Sequence, residues 1–136
     1  MAYRRFSWIA SLFIVMLAGC APAQTAGHTP AAQAAEAYLK ALAGKDENAF
    51  SQWICPNWEM DAFLEFDAYS GMETQLDHVA CSQTGTQDGA ALVSCQGKIL
   101  LSYGAEQQQV DLSQRTYRLV SQSSNWQVCG FSSPAP

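Results

Sequence analysis

Apolar residues recur every three or four positions after Thr29, which is typical of a helix with one buried face. Thr29 is a suitable cap, Pro30 suits the first helical position, and Gly44 is a typical stop. These features predict a first helix from Thr29 to Gly44. Its apolar stripe consists of Ala31, Ala35, Tyr38, Leu39 and Leu42.

Two shorter helices are predicted next. Asp46 caps the first of them, which ends at Cys55-Pro56 because proline disfavours helical geometry in the residue before it. Asn57 caps the other, which runs to about Tyr69. We expect this third helix to bury Met60, Phe63 and Leu64.

The other side of the third helix is acidic. Like-charged residues on one side of a helix usually form a solvated face, and we interpret these carboxylates in that way. Calcium binding or acid–base chemistry is the alternative, but the spacing of a calcium loop is missing. The residues are Glu59, Asp61, Glu65 and Asp67.

From Leu76 onward, apolar and polar residues alternate, which is typical of strands. Four strands can be drawn, joined by short turns into an antiparallel meander. The sequence therefore predicts an α+β fold, in which N-terminal helices pack on one face of a curved four-stranded sheet. The predicted strands are about residues 75–85, 90–103, 107–120 and 125–131.

The first predicted turn brings two cysteines together. Gln87-Asp88-Gly89 fits a three-residue loop closed by a left-handed glycine, which places Thr86 opposite Ala90. Counting outward along the two strands, Cys81 then lies directly opposite Cys95, near enough for a disulfide.

Side-chain alternation extends this argument to the other strands. The face with Cys81 and Cys95 also carries Asp77 and Tyr103, and the helices cover it. If the third strand has no bulge, Cys129 lies on this face as well. Cys55 at the end of the second helix then bridges to Cys129. Four cysteines allow three connectivities, and zinc binding is a further alternative, although no C-x-x-C pair is present.

The opposite sheet face is predicted to be apolar as well. A monomer seldom exposes a large contiguous apolar area, so a second copy or a protein partner is one way to cover it. The alternative is that sheet twist, a bulge or long side chains hide this face. The predicted interface residues are Leu100, Tyr117, Leu119, Trp126 and Val128, beside Leu92.

The N-terminal stretch has the composition of an export signal. Arg4 and Arg5 precede an apolar run from Phe6 to Leu17. The run ends in Leu17-Ala18-Gly19-Cys20, which resembles the lipobox of bacterial lipoproteins. That resemblance implies a diacylglycerol on the Cys20 sulfur, cleavage before Cys20, and acylation of the new amino group. An ordinary signal peptide or an uncleaved helix is the alternative, but the run is short for a span of about 30 Å.

These features divide the chain into a signal peptide at 1–19, a lipidated tether at 20–29, one α+β domain at 30–131 and a tail at 132–136.

Removing the signal leaves five basic residues against twelve acidic ones, a formal net charge of −7. This charge argues against nucleic acid as a partner. No cofactor or metal is expected. In some bacterial lipoproteins, an aspartate directly after the lipidated cysteine is associated with retention in the inner membrane. Position 21 of this chain is alanine, so the outer membrane is favoured in a cell that has one.

The order of elements, together with the final Trp126-Gln127-Val128-Cys129-Gly130-Phe131, resembles the nuclear-transport-factor-two-like superfamily. The stretch from Ala37 to Asp46 is similar to the opening of its small exported lipoprotein members. This resemblance implies a cone-shaped sheet whose open end can form a pocket.

Catalytic members of that superfamily, of the ketosteroid isomerase and polyketide cyclase types, place an acid or histidine and a tyrosine in the pocket. Asp77 and Tyr103 are the residues of this chain that the predicted register puts on the inner face. No second acid or histidine completes a catalytic pattern, and no catalytic residue is assigned.

The sequence thus predicts a lipid-anchored, disulfide-linked binding or interaction domain on the extracytoplasmic side of a bacterial membrane. Two alternatives stay open. One is a small cone-fold enzyme that uses Asp77 and Tyr103, and the other is a structural envelope protein that acts as a dimer.

Overall fold

The computed structural model describes residues 27–134. The predicted signal, Cys20 and most of the tether lie outside the described residues. Within these residues there are three α-helices, α1 (Pro30–Gly44), α2 (Glu47–Gln52) and α3 (Glu59–Ala68). Five strands follow: β1 (Glu73–Gln87), β2 (Ala90–Tyr103), β3 (Glu106–Asp111), β4 (Thr116–Gln122) and β5 (Asn125–Ser132). Within residues 27–134, no helix has the length and apolar character needed to cross a membrane.

The first two helices begin where the sequence predicts. The Thr29 side chain accepts a hydrogen bond from the Ala32 N–H, and Asp46 does the same for Ala49 at the start of α2. At the end of α1, Lys45 adopts a left-handed conformation with φ 54°, and its N–H donates to carbonyls of the last turn. Small alanines let α1 lie close to the sheet, so a wide face of this helix is buried.

The predicted buried face of α3 is wrong for Met60 and Leu64, although Phe63 is partly buried and packs against the core, as predicted. Ala62, Phe66 and the following Tyr69 face the core, whereas Met60 is 80% exposed and Leu64 65% exposed. The observed buried stripe follows steps of four and three residues, and Glu65 lies beside it. One of the carboxylates predicted to be solvated is therefore directed into the protein.

The sheet is antiparallel and is organised around β2. Along one edge of β2 runs β1, while β3 and β4 lie end to end along the other edge, and β5 pairs with β4. The helices cover one face, which makes the α+β architecture predicted from the sequence. The difference is that the predicted third strand is two strands, β3 and β4.

A short 3-10 turn at Leu112–Gln114 separates β3 from β4 and adds one residue to the register. Ile99 still pairs with Val110, as predicted, but Val93 pairs with Tyr117. Because side chains alternate along a strand, one extra residue reverses the two faces of everything that follows. Tyr117 and Leu119 therefore point toward the helices.

The core fills the interior between the helices and the sheet. Large side chains from every layer are fully buried there and pack against one another, so the inside of the cone is occupied by the protein itself. The largest are Tyr38, Tyr117, Phe50, Leu39, Leu42, Ile99, Leu112, Leu119, Val93 and Val128.

Both predicted disulfides form. Cys81 and Cys95 are cross-strand partners with Cα atoms 4.0 Å apart, and Cys55 joins Cys129 with Cα atoms 4.9 Å apart. The second bridge is supported by backbone pairing beside it, since the Cys55 N–H donates to the Val128 carbonyl at 2.9 Å. The Val128 N–H in turn donates to Trp53 at 2.7 Å. The segment after α2 thus extends the sheet next to β5.

Candidate functional site

The structure does not bring the predicted pocket residues Asp77 and Tyr103 together. Asp77 pairs with Lys98, and Tyr103 lies five residues further along β2, which places them about 17 Å apart. Tyr103 is 69% exposed at the end of its strand. Asp77 lies on the outer face, where its carboxylate is 2.6 Å from Nδ1 of the exposed His78. The inward placement of Asp77 was therefore wrong.

A bulge explains the error at Asp77. Between the pairs Asp77–Lys98 and Ala80–Gln96, two residues of β1 oppose the single residue Gly97. The alternation of side chains therefore changes phase within β1. Thr74 and Leu76 face inward before the bulge, and Val79 and Cys81 face inward after it.

The predicted apolar interface is also changed by the structure. Tyr117, Leu119 and Val128 are fully buried under the helices, and Trp126 packs partly against the same core. The cause is the 3-10 turn before β4, which reversed the two faces. Leu100 alone of the five predicted residues stays on the outer face, so the apolar patch that suggested a dimer is not formed by these residues.

A mostly buried ion pair replaces these predicted sites as the main polar cluster beside the core. The Arg115 guanidinium donates to Glu65 Oε1 at 2.6 Å, and the two side chains are only 15% and 12% exposed. The Tyr69 hydroxyl donates to the same oxygen at 3.2 Å, and the Tyr38 hydroxyl donates to Glu65 Oε2 at 3.0 Å. Glu65 on α3 is thus bound by donors from α1, from the end of α3 and from the residue before β4.

Aromatic rings enclose this cluster. The Arg115 guanidinium carbon lies 4.2 Å from the centre of the Phe131 ring, a cation–π contact. The Tyr117 hydroxyl is buried nearby and has no hydrogen-bond partner among the described residues. A buried hydroxyl without a partner is costly, and within residues 27–134 no other buried side-chain nitrogen or oxygen lacks a hydrogen-bond partner.

The tyrosines of the cluster are held in their neutral form. Burial and then the nearby Glu65 charge raise the pKa of Tyr69 to about 12, and they raise the pKa of Tyr38 well above its usual value. Burial also raises the pKa of Tyr117 to about 12, although the Arg115 charge opposes the rise. For Arg115, burial acts to lower the pKa, but Glu65 outweighs it and the net shift is upward.

This arrangement can hold charges and join elements, but it offers little for proton transfer near neutral pH. The tyrosines keep their protons, Arg115 keeps its charge, and Glu65 already accepts three hydrogen bonds. A general base needs a free proton-accepting position and a pKa near the working pH. We therefore regard the Glu65–Arg115 cluster as a structural connection between α1, α3 and β4.

Sequence reasoning missed Glu65 and Arg115, although a signal for both was present. Ala62, Phe66 and Tyr69 are spaced as one helical stripe, which would have placed Glu65 at its edge. A carboxylate on a buried stripe needs a cation, and the domain has few basic residues to supply one.

A polar groove crosses the outer ends of β1, β2 and β3. It has a volume of about 570 Å³ and places side chains of three strands in register, with Gln75, Leu100 and Gln109 in one row. The next row consists of Glu73, Ser102 and Gln107. Lys98 Nζ donates to Gln109 Oε1 at 3.1 Å, which orients one of the amides. Amides both donate and accept hydrogen bonds, and the Glu73 carboxylate at one end disfavours an anion, so this groove suits a neutral polar ligand.

Metal binding finds no support in the described part of the chain. Within residues 27–134, no three His, Cys, Asp or Glu side chains come together as metal ligands. The four cysteines of this region form the two disulfides instead of a zinc site.

Comparison with known proteins supports the fold and nothing finer. The sequence matches no protein-family model and no curated protein. Among solved structures it is similar to a CaMKII hub from S. rosetta, with a TM-score of 0.53 and 19% sequence identity. The match covers 81% of this chain and 95% of the hub. The chain therefore has a nuclear-transport-factor-two-like α+β fold, as its order of elements predicts.

Proposed function

We propose that this chain is a lipoprotein that is anchored through Cys20 on the extracytoplasmic side of a bacterial membrane and carries a small binding domain. The two disulfides are the observation that carries this proposal. Disulfides persist in oxidising compartments outside the cytoplasm, and a chain that begins with an export signal is delivered there. The lipobox-like Leu17-Ala18-Gly19-Cys20 supplies the anchor.

The filled interior supports binding rather than catalysis. Fully buried Tyr38, Phe50 and Tyr117 occupy the inside of the cone, where a catalytic pocket would otherwise lie. Asp77 and Tyr103 do not share a site, so we do not propose an isomerase or cyclase. The polar groove at the outer ends of β1, β2 and β3 is the surface that we assign to ligand or partner binding.

Self-association stays a prediction. The prediction depends on an apolar outer sheet face. That face is smaller than predicted, because Tyr117, Leu119 and Val128 are buried within the single chain. Sedimentation of the Leu100→Asp variant beside the wild type tests what is left of it, and a change in assembly would support the outer face as a contact.

The anchor is tested by expressing the full chain in bacteria and isolating the membranes. We expect the intact mass to equal residues 20–136 plus acyl chains, and we expect Cys20→Ser to abolish both the added mass and the membrane attachment. Alkylation without reductant should leave the four domain cysteines unmodified. A Cys20→Ser product that is equally membrane-bound, or domain thiols that react freely, would contradict the proposal.

The groove is tested by thermal unfolding with a panel of neutral saccharides and short uncharged peptides. A bound ligand raises the unfolding temperature because it stabilises the folded state. We expect such a ligand to stabilise the wild type and to lose its effect on a Gln75→Ala/Gln109→Ala variant. Gln122→Ala, an exposed substitution on β4, is the matched control. A ligand that stabilises all three proteins equally binds elsewhere.

A further inference from the structure

A cleft with two tryptophans lies at the end of the domain where the chain enters the fold. It has a volume of about 370 Å³ and lies between the first turns of α1, the residue after α2 and the turn that joins β4 to β5. Trp53 and Trp126 are both partly exposed there. We call this surface the tryptophan cleft. Its lining residues are Pro30, Gln33, Ala34, Ala37, Trp53, Ser124, Asn125 and Trp126.

The tryptophan cleft carries no charge in any of these eight lining residues. This is a notable feature in a processed chain whose formal net charge is −7. A surface that approaches lipid headgroups must avoid carboxylates, because many bacterial lipids are anionic and repel them. The cleft meets this requirement.

The tryptophan cleft lies where the chain that follows the proposed anchor enters the fold. Pro30 is both the first residue of α1 and part of the cleft lining. The chain just before it is held to the domain, since the Gly27 carbonyl accepts hydrogen bonds from the N–H groups of Thr29 and Gln83. Nine residues lie between Cys20 and Pro30, and the ten Cα–Cα steps of this segment, when fully extended, span at most about 35 Å. A lipid on Cys20 therefore allows the tryptophan cleft to reach the bilayer.

Tryptophan suits such a position because its ring is apolar while its indole N–H needs a polar partner. Tryptophans are accordingly enriched at the headgroup level of membranes. The third tryptophan of the processed chain, Trp58, is placed differently, with its ring 6.1 Å from that of Phe131 in an edge-to-face contact. Trp58, which is not part of the cleft lining, therefore serves as an internal control for fluorescence measurements on the cleft.

We infer that the tryptophan cleft rests on the headgroup region of the membrane, so that Trp53 and Trp126 fix the orientation of the anchored domain. This inference depends on the proposed lipid anchor at Cys20. The groove assigned to ligand binding lies toward the other end of β2 from the turn that joins β4 to β5, so this orientation leaves the groove open to its partner.

The test uses the processed, acylated protein in phosphatidylcholine vesicles, with and without brominated acyl chains. Bromine quenches tryptophan fluorescence only near the ring. We expect quenching in the wild type and in Trp58→Phe, and loss of quenching in Trp53→Phe/Trp126→Phe. Because Trp53 and Trp126 also contact the core, Gln33→Glu/Asn125→Asp provides a second variant that adds charge only at exposed positions. On vesicles that contain phosphatidylglycerol, this variant should be quenched less than the wild type.

Flotation of the same samples separates the two proposals. A wild type that does not float with the vesicles contradicts the anchor itself. A wild type that floats without being quenched overturns the docking inference and leaves the anchor standing. Equal quenching in the wild type and in Trp53→Phe/Trp126→Phe also overturns it, because the contact then lies elsewhere. A spectral shift that depends on protein density and not on bromine would assign the cleft to a second copy and would equally overturn it.

Discussion

Gly97 on β2 lies so close to the backbone of His78 on β1 that only glycine fits between the two strands. A Cβ atom at Gly97 would lie 2.6 Å from the His78 carbonyl oxygen and 2.5 Å from that of Asp77. Both residues have positive φ, 91° for Gly97 and 51° for His78. The glycine therefore permits the bulge in β1, and the bulge bends the sheet around the helices.

We expect Gly97→Ala to destabilise the domain by about 3 kcal/mol, because the methyl group meets backbone that cannot move and the left-handed conformation disfavours alanine. Urea unfolding followed by circular dichroism measures the change. Gly85→Ala is the matched control in the same hairpin, since a Cβ there has no atom within 4 Å. The control should stay within about 0.5 kcal/mol of the wild type. Equal effects of the two substitutions would show that the close approach at Gly97 is not what limits this position.

The first hairpin shows how much the sequence could predict. The observed turn contains two residues, Asp88 and Gly89. The sequence predicts a turn of three residues, because Gln87 was included in it. An irregularity at Thr84 adds the missing residue to β1 and restores the predicted pairing of Cys81 with Cys95. The cysteine pair was thus predicted correctly through two deviations that cancel. Local sequence patterns predicted the two strands of this hairpin, but they did not predict the irregularity at Thr84.

The Glu65–Arg115 cluster was harder to predict because it depends on which side of α3 and which face of β4 point toward the core. The rotation of α3 decides whether Glu65 is solvated or buried, and the turn before β4 decides which face carries Tyr117. A local signal for that turn exists, since Asp111 accepts hydrogen bonds from the Ser113 N–H at 2.9 Å and from its hydroxyl at 2.7 Å. An Asp followed two residues later by Ser is common, however, and alternation alone favoured one continuous strand.

The ion pair between Glu65 and Arg115 should be costly to break on one side. Arg115→Met leaves a mostly buried carboxylate without its cation, and we expect a loss of about 3 kcal/mol in the free energy of unfolding. Replacing both partners, as in Glu65→Leu/Arg115→Met, removes the unpaired charge. The double variant should therefore lose clearly less than the sum of the two single substitutions.

The measurement is a double-mutant cycle by urea unfolding with the disulfides intact. Glu59→Leu, an exposed substitution on the same helix, serves as the control and should have a small effect. Additive losses from Glu65→Leu and Arg115→Met would contradict a direct coupling between the two charges.

The two disulfides should contribute unequally. Cys55 and Cys129 are 74 residues apart, whereas Cys81 and Cys95 are 14 apart. In the chain-entropy description, closing these loops stabilises the folded state by about 4.5 and about 3 kcal/mol. We expect Cys55→Ala/Cys129→Ala to lower the urea midpoint more than Cys81→Ala/Cys95→Ala does. The opposite order would show that local packing, and not loop length, determines their contributions.

Alkaline pH should destabilise the domain through its buried tyrosines. Tyr69 and Tyr117 have pKa values raised to about 12, whereas tyrosines of an unfolded chain ionise near about 10. Between these values the unfolded state releases protons that the folded state retains, so the stability falls as the pH rises. The contribution is complete below about pH 10 and is lost through about pH 12. Urea midpoints across this range should fall less steeply for Tyr69→Phe than for the wild type, and parallel curves would contradict the assignment.

Replacing Tyr117 by phenylalanine should affect the free energy of unfolding differently from the same replacement at the neighbouring Tyr38. Tyr117→Phe removes a buried polar atom that has no hydrogen-bond partner among the described residues, so we expect no loss of stability or a gain of up to about 1 kcal/mol. Tyr38→Phe removes a donor to Glu65 and leaves that carboxylate less satisfied, so we expect a loss of about 1–2 kcal/mol. Both rings are fully buried, which makes the two substitutions a matched pair. A clear loss of stability in Tyr117→Phe would mean that a water molecule or Arg115 satisfies the hydroxyl in solution, and a crystal structure of the oxidised domain would identify which of the two it is.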